Sequence, residues 1–207
     1  MNLTNQYWFF QSAVPPRICD EITRYAISIK DQMAITGGTP KKLNPKQFKD
    51  LKKKRDSNVV WLNERWIYNE IHPYVNAANT NAGWNFQWDQ SESCQFTKYN
   101  KGQYYDWHCD GWDKPYKKKE GDRSNGKIRK ISVTLSLCDD KEYKGGDFEV
   151  DFRNQDPDKK ANTKVVKEIR PKGSLIIFPS DLWHRVRPVT KGTRYSLVIW
   201  NLGWPFK

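Results

Sequence analysis

Two hydrophobic periods run along this chain, and the switch between them constrains the fold more than any other feature. Over residues 16–30 and 63–80, apolar side chains recur three and four apart, as on one face of a helix. In the first segment these are Ile18, Ile22, Tyr25 and Ile29, and Pro16 suits a first-turn position. In the second they are Trp66, Ile67, Ile71, Tyr74, Val75 and Ala78, with Pro73 expected to kink the helix. From Trp84 onward the period shortens towards two. Candidate strands cover 84–89, 92–99, 103–109, 128–138, 146–152, 164–169, 173–179, 183–188 and 193–201, punctuated by Gly, Asn, Asp and Pro. One earlier apolar strand, Val59–Leu62, precedes the second helix. No long amphipathic helix separates the later strands, as a parallel sheet would require. The order therefore predicts an α+β fold: a β-sandwich or jelly-roll with N-terminal helices packed on one face. The 207 residues suit a single domain, with helical support over about 1–83 and a β core over about 84–207.

Between the helical segments lies a break, TGGTPKK, followed by a run at 41–55 with eight basic residues against one acidic, Asp50. It reads as a long mobile loop or basic arm, or as plain solvated disorder. The net charge of +12 raises the odds of an acidic partner such as nucleic acid or a ribonucleoprotein, although a solvated basic surface has the same composition. No segment approaches the length of apolar run that crosses a membrane, and the N-terminus lacks the basic and small-residue features of a leader. Cys19, Cys94, Cys109 and Cys138 show neither a C-x-x-C pair nor a disulfide framework, which fits a cytoplasmic setting.

The chemistry concentrates in YYDWHCD at 104–110. Alternate residues of a strand face one side, so His108 and Asp110 can aim an imidazole and a carboxylate into one cavity, with Cys109 turned away. His184, in FPSDLWHRVRP, lies on another predicted strand. Two histidines and one carboxylate on a rigid sheet can hold one face of an octahedron. That is the arrangement of non-haem Fe(II) oxygenases, and its nitrogen and oxygen donors suit iron better than a structural zinc. H-x-D alone is weak, because an isolated histidine is more often structural. His72 has no carboxylate at ligand spacing and is assigned to structure. Gly145-Gly146 reads as a tight turn.

The longer text is more specific. QFTKYNKGQYYDWHCD at 95–110, YKGGDFEV at 143–150 and KGSLIIFPSDLWHRVRPVTKGTRYSLVIW at 172–200 resemble the prolyl-4-hydroxylase-like branch of the 2-oxoglutarate/Fe(II) oxygenases, close to the bacterial PKHD-type hydroxylases. The resemblance implies a double-stranded β-helix (jelly-roll) core and the cofactors Fe(II), 2-oxoglutarate and O2, with ascorbate as a reductant. By position it makes His108, Asp110 and His184 the iron ligands and Arg194 the anchor of the far carboxylate of 2-oxoglutarate. Tyr99 and Ser196 become hydrogen-bonding partners of that co-substrate, and Trp200 a wall of its pocket; ordinary barrel packing is the alternative for Tyr99 and Trp200. The implied reaction couples decarboxylation of 2-oxoglutarate, giving succinate and CO2, to hydroxylation of a protein substrate at a prolyl residue. Tyr104, Tyr105, Trp107 and Trp112 are expected to line a groove for an extended peptide, and the region from about Asp31 to Arg55 to close over it. A nucleic-acid demethylase of the AlkB type is the rival that the basic charge invites. The second arginine which that pattern would have six residues after Arg194 is Trp200 here. A barrel that binds without catalysis is the remaining, least favoured alternative.

Overall fold

Strand pairing carries the chain back and forth between two sheets in the structure, a computed structural model that describes residues 3–33, 45–111, 113–153 and 159–206. Its first part runs β1 (Trp8–Phe10), α1 (Pro16–Ser28), β2 (Gln32–Met33), α2 (Pro45–Lys54), β3 (Arg55–Asp56), β4 (Asn58–Leu62) and α3 (Arg65–Asn81). Then follow β5 (Gln90–Ser91), β6 (Cys94–Tyr99), β7 (Tyr104–His108), β8 (Ile128–Ser136), β9 (Tyr143–Gly145) and β10 (Phe148–Asp151). The chain continues with β11 (Thr163–Val165), a 3-10 turn at Lys167–Ile169, β12 (Leu175–Pro179), β13 (Trp183–Val186), β14 (Val189–Gly192) and β15 (Arg194–Gly203).

The major sheet has the order β1-β12-β8-β15-β6-β4-β2, with β5 also pairing β15. The minor sheet has the order β11-β10-β13-β7-β3, and β14 pairs β9 as a separate ribbon. Every pairing is antiparallel. Neighbouring strands distant in sequence, such as β12 beside β8 and β13 beside β7, give the jelly-roll pattern. Strands from before residue 83 join both sheets, so the N-terminal third supplies β structure as well as helices.

Alternation within β8 shows how the sequence builds both faces of the major sheet. Ile131, Val133 and Leu135 belong to one hydrophobic cluster with Leu197 and Ile199 of β15 and Leu175 and Ile177 of β12. The same cluster holds Ile18, Cys19, Ile22 and Ala26 of α1, and Ile67, Ile71, Val75 and Ala78 of α3. Their spacing of three and four is the amphipathic stripe of a helix. The alternate residues Ser132, Thr134 and Ser136 are also buried. In register beside them stand Ser196, Val198 and Trp200 of β15, and then Thr97 and Gln95 of β6. The major sheet thus turns a buried polar face towards the barrel interior, an arrangement tolerated only where those groups find partners or a ligand.

Several sequence expectations change. Residues 45–54, expected as loop or disorder, form α2, because lysine, glutamine and leucine are good helix formers behind a proline at the start. Residues 34–44 of the expected lid, and Trp112, lie outside the described residues. The strand expected at 84–89 is absent; only Gln90–Ser91 pair. That stretch closes α3 instead: Trp84 and Asn85 donate backbone N–H bonds to the Asn79 carbonyl, and the Asn79 side chain brackets the backbone of Phe86. Beyond Val165 the expected strand becomes the 3-10 turn. Helix α3 contains Pro73, as the sequence leads us to expect. Among the described residues no helix is long and apolar enough to cross a membrane.

Candidate active site

His108 ends β7 and His184 lies in β13, and the two residues are direct partners across that pair of strands. Asp110 follows two residues after His108. Its backbone N–H and that of Gly111 both bond to the Ser180 carbonyl, at 2.9 and 2.7 Å, in the turn that leads into β13. A Cβ on Gly111 would stand 2.7 Å from the Arg129 carbonyl oxygen and 2.8 Å from Ser180 Cβ, so this clamp requires glycine. The result is that one ligand atom from each of His108, Asp110 and His184 lies within 4.8 Å of the others.

Each imidazole is turned the same way. The Nδ1 of His108 bonds to the Asp106 carbonyl at 2.8 Å, and that of His184 to the Leu182 carbonyl at 2.9 Å. A carbonyl can only accept, so each ring donates from Nδ1 and turns its Nε2 towards Asp110. Both Nε2 atoms stand 3.7 Å from an Asp110 carboxylate oxygen. Burial, with the neighbouring His184, holds the His108 pKa well below its ordinary value, so this ring stays neutral. Burial would raise Asp110, but the two imidazoles, Arg129 and the Trp200 indole together hold its carboxyl below the usual range. Its Oδ2 is buried without a hydrogen-bond partner. Two imidazole Nε2 atoms and an orphaned carboxylate oxygen converge, and they fit a divalent cation.

The register of β7 contains a bulge. His184 pairs with His108 and Val186 pairs with Tyr105, so Asp106 and Trp107 of β7 oppose Arg185 alone on β13. The extra residue brings Tyr105 onto the face of His108, against plain alternation. Their rings stack at 3.5 Å between centroids, inclined 14°. Of the aromatic residues expected along one groove, the three that are described point to different neighbours. Tyr105 lies inside against His108, the Tyr104 hydroxyl bonds to the Lys52 and Lys53 carbonyls, and Trp107 packs under Arg185.

Arg194 opens β15 and is 2% exposed. Its Nη1 donates to Ser196 Oγ at 3.2 Å, and its guanidinium lies 5.6 Å from the ring centre of Tyr99, its cross-strand partner. Burial pushes the Tyr143 phenol up, and the nearby charge of Arg194 acts against it. Among the described residues no carboxylate pairs with Arg194. A buried guanidinium without an acid is a receptor for an anion. Trp200 stands elsewhere on the same strand face: Arg129 lies 3.9 Å above its ring, and Trp61 packs at 6.1 Å. Arg129 is itself held by Glu92, which also accepts the Tyr116 hydroxyl, and its Nη1 reaches the Asp110 carbonyl at 3.2 Å.

Sequence reasoning passed over Arg129, Glu92, Tyr143 and Arg55. One signal was present: S-x-T-x-S at 132–136 alternates with the apolar Val133 and Leu135, and Q-x-T-x-Y at 95–99 repeats the period of two. Cys109, expected to pack, is buried, and burial pushes its thiol up to about 12.

The comparisons with known proteins agree with this geometry. The sequence profile of the 2OG-Fe(II) oxygenase superfamily matches residues 94–201. A PKHD-type hydroxylase of Janthinobacterium sp. (strain Marseille) is 33% identical over 107 residues, which is 51% of this chain and 41% of that protein. One from Xylella fastidiosa (strain M12) is 36% identical over 110 residues, 51% and 42% of the two chains. The chain thus spans less than half the length of these curated relatives. Among solved structures, the viral collagen prolyl hydroxylase of Paramecium Bursaria Chlorella virus-1 in its 2OG complex superposes with a TM-score of 0.63. It is 19% identical, and 97% of each chain is covered. A Pseudomonas putida prolyl-4-hydroxylase gives 0.59 at 18% identity, covering 96% of this chain and 92% of that one. With its profile matched over more than half its length and the three ligand-bearing residues converged, this chain belongs to the 2OG-Fe(II) oxygenase superfamily.

Proposed function

We propose that the protein is an Fe(II)- and 2-oxoglutarate-dependent dioxygenase that hydroxylates a prolyl residue in a flexible peptide segment, with release of succinate and CO2. The observation that carries this reading is the convergence of His108 Nε2, His184 Nε2 and the unpartnered Asp110 Oδ2. Bound iron would supply the oxidising power that couples decarboxylation to C–H oxidation.

The protein's own contribution is orientation and charge. His108, His184 and Asp110 would hold the metal, in the interior between the two sheets. Arg194 grips the far carboxylate of 2-oxoglutarate with a planar two-pronged donor, and Ser196, Tyr99 and Tyr143 complete that end of the pocket. Trp200 walls the cavity beside Asp110, with Arg129 covering its outer face. The apolar faces of α1 and α3, which share the cluster behind the major sheet, support their role as a brace that keeps the strands in register. The PKHD-type relatives and the prolyl hydroxylase neighbours favour a prolyl target, and Trp200 stands where the demethylase pattern would have its second arginine. The +12 charge favours a target held in an acidic particle such as a ribonucleoprotein.

The test is a pair of libraries supplied with Fe(II), 2-oxoglutarate and O2: proline-containing peptides and methylated single-stranded oligonucleotides. Gain of one oxygen on proline with oligonucleotides untouched supports the proposal. Formaldehyde release from a methylated base with no peptide modified overturns it.

A further inference from the structure

Arg55 is a second buried guanidinium, separated from His108 by the Tyr105 ring, and nothing in the reaction outlined above uses it. It lies in β3, at the edge of the minor sheet, paired with Tyr105. It is 6% exposed. Its guanidinium covers the Tyr105 ring at 4.5 Å, and the Tyr105 ring is stacked on His108. The fork crosses from the minor sheet to the major one. Nε donates to Ser57 Oγ at 2.9 Å, and Nη1 reaches Gln95 Oε1 at 3.4 Å, the long limit of a hydrogen bond. Gln95 in turn donates to Thr97 on the polar inner face of the major sheet. Nη2 is buried with no partner, and among the described residues no carboxylate pairs with Arg55. The adjacent Asp56 pairs with Lys52 instead.

The charges of the site sharpen the point. A divalent ion and Asp110, with Arg194 and a doubly charged 2-oxoglutarate, neutralise one another. Arg129 is matched by Glu92. Among the described residues around the ligands, the charge of Arg55 is left without a counter-charge. Cation–π contact with Tyr105 compensates only part of it. Helix α2, which leads directly into Arg55, ends in Lys52, Lys53 and Lys54, so the approach to the site is positive as well.

Resting on the prolyl-peptide reading, we infer that the substrate is an acidic peptide: an aspartate or glutamate beside the hydroxylated residue is received by the free edge of Arg55. The acid completes the Arg55 fork and brings the interior to neutrality, which selects acidic segments over neutral ones of the same shape.

Matched peptides that differ only by Glu against Gln, or Asp against Asn, at positions flanking the proline test this. Binding is measured by calorimetry on protein loaded with Zn(II) and 2-oxoglutarate, which does not turn over, and hydroxylation on the iron form. Wild type should favour the acidic member about tenfold or more in both measurements. In Arg55→Gln the ratio should fall to about one, and Arg55→Lys should retain a reduced preference. A wild-type ratio of one, or an undiminished ratio in Arg55→Gln, overturns the inference. The wild-type ratio and Arg55→Lys decide the matter if Arg55→Gln does not fold. If 2-oxoglutarate is consumed but no peptide is hydroxylated, the prolyl-peptide reading falls, and inorganic phosphate becomes the probe of Arg55. Saturable phosphate binding by the zinc- and 2-oxoglutarate-loaded wild type that is lost in the variants upholds an anion site there. Equal binding by both, or none by either, removes it.

Discussion

A Cβ placed on Gly146 would stand 3.0 Å from Cδ of Arg194, and the backbone at Gly146 has φ +64°. The same atom would press on Val189 Cγ2 at 3.0 Å. Glycine here does more than turn the chain: it leaves the room in which the buried arginine lies. Gly146→Ala should therefore raise the apparent KM for 2-oxoglutarate several-fold while iron affinity stays unchanged. The left-handed backbone adds a penalty of about 1–2 kcal/mol, a fall in Tm of roughly 2–8 °C for a chain of this size. An unchanged KM with a lowered Tm would reduce Gly146 to a turn residue.

Arg194 makes no ion pair among the described residues, so its removal should be felt mainly when 2-oxoglutarate binds. A charge-assisted hydrogen bond contributes about 1.5–3 kcal/mol. Arg194→Met should raise the apparent co-substrate KM at least about tenfold, because 1.4 kcal/mol is one decade. Steady-state kinetics against 2-oxoglutarate measures this. Arg187 is engaged with Glu149 and Lys191 is exposed, so neither stands ready to replace it. A KM unmoved by the substitution would nevertheless pass the role to one of them.

The metal assignment is checked without substrate. Anaerobic Fe(II) with 2-oxoglutarate should give a weak visible absorption band in the wild type. The double variant His108→Ala, His184→Ala should lose it, while circular dichroism retains the β-sheet signature. Full retention of the band in that variant would place the iron elsewhere.

The depressed pKa of His108 has a consequence for metal binding. Protons compete with the metal for Nε2, and competition begins only as pH falls towards the ligand's own pKa. An ordinary histidine would start to lose metal near pH 6.5. Because the folded pKa of His108 lies well below that, its contribution to Co(II) affinity should hold from pH 7.5 down through 6.5 and weaken only at more acidic pH. Calorimetric titrations across that range provide the measurement. The same sign applies to the metal-free fold: a neutral buried His108 supports stability above the unfolded-state pKa and loses that support as pH falls below it.

What the sequence alone determined is local or positional. The change of period from helical spacing to alternation marked α1, α3 and most strands, because which residues face the core follows directly from backbone geometry. His108 and Asp110 were legible as a pair from strand alternation, and the resemblance of the longer motifs added His184, which the structure brings beside them, and the expected role of Arg194. Tertiary structure decided the rest. Tyr105 reaches the face of His108 only through a bulge that appears when β7 pairs with β13. Arg55 sits in a lysine-rich run that reads as solvated surface, and it becomes a buried charge only when β3 joins the edge of β7 and its fork crosses to Gln95. Glu92 and Arg129 lie 37 residues apart and form their pair because β8 and the start of β6 flank β15 from either side. A charged residue's local pattern states only that it is polar. Whether it faces water, an ion-pair partner or an empty anion site depends on which strand arrives beside it, and sheet pairing over long sequence separations decides that.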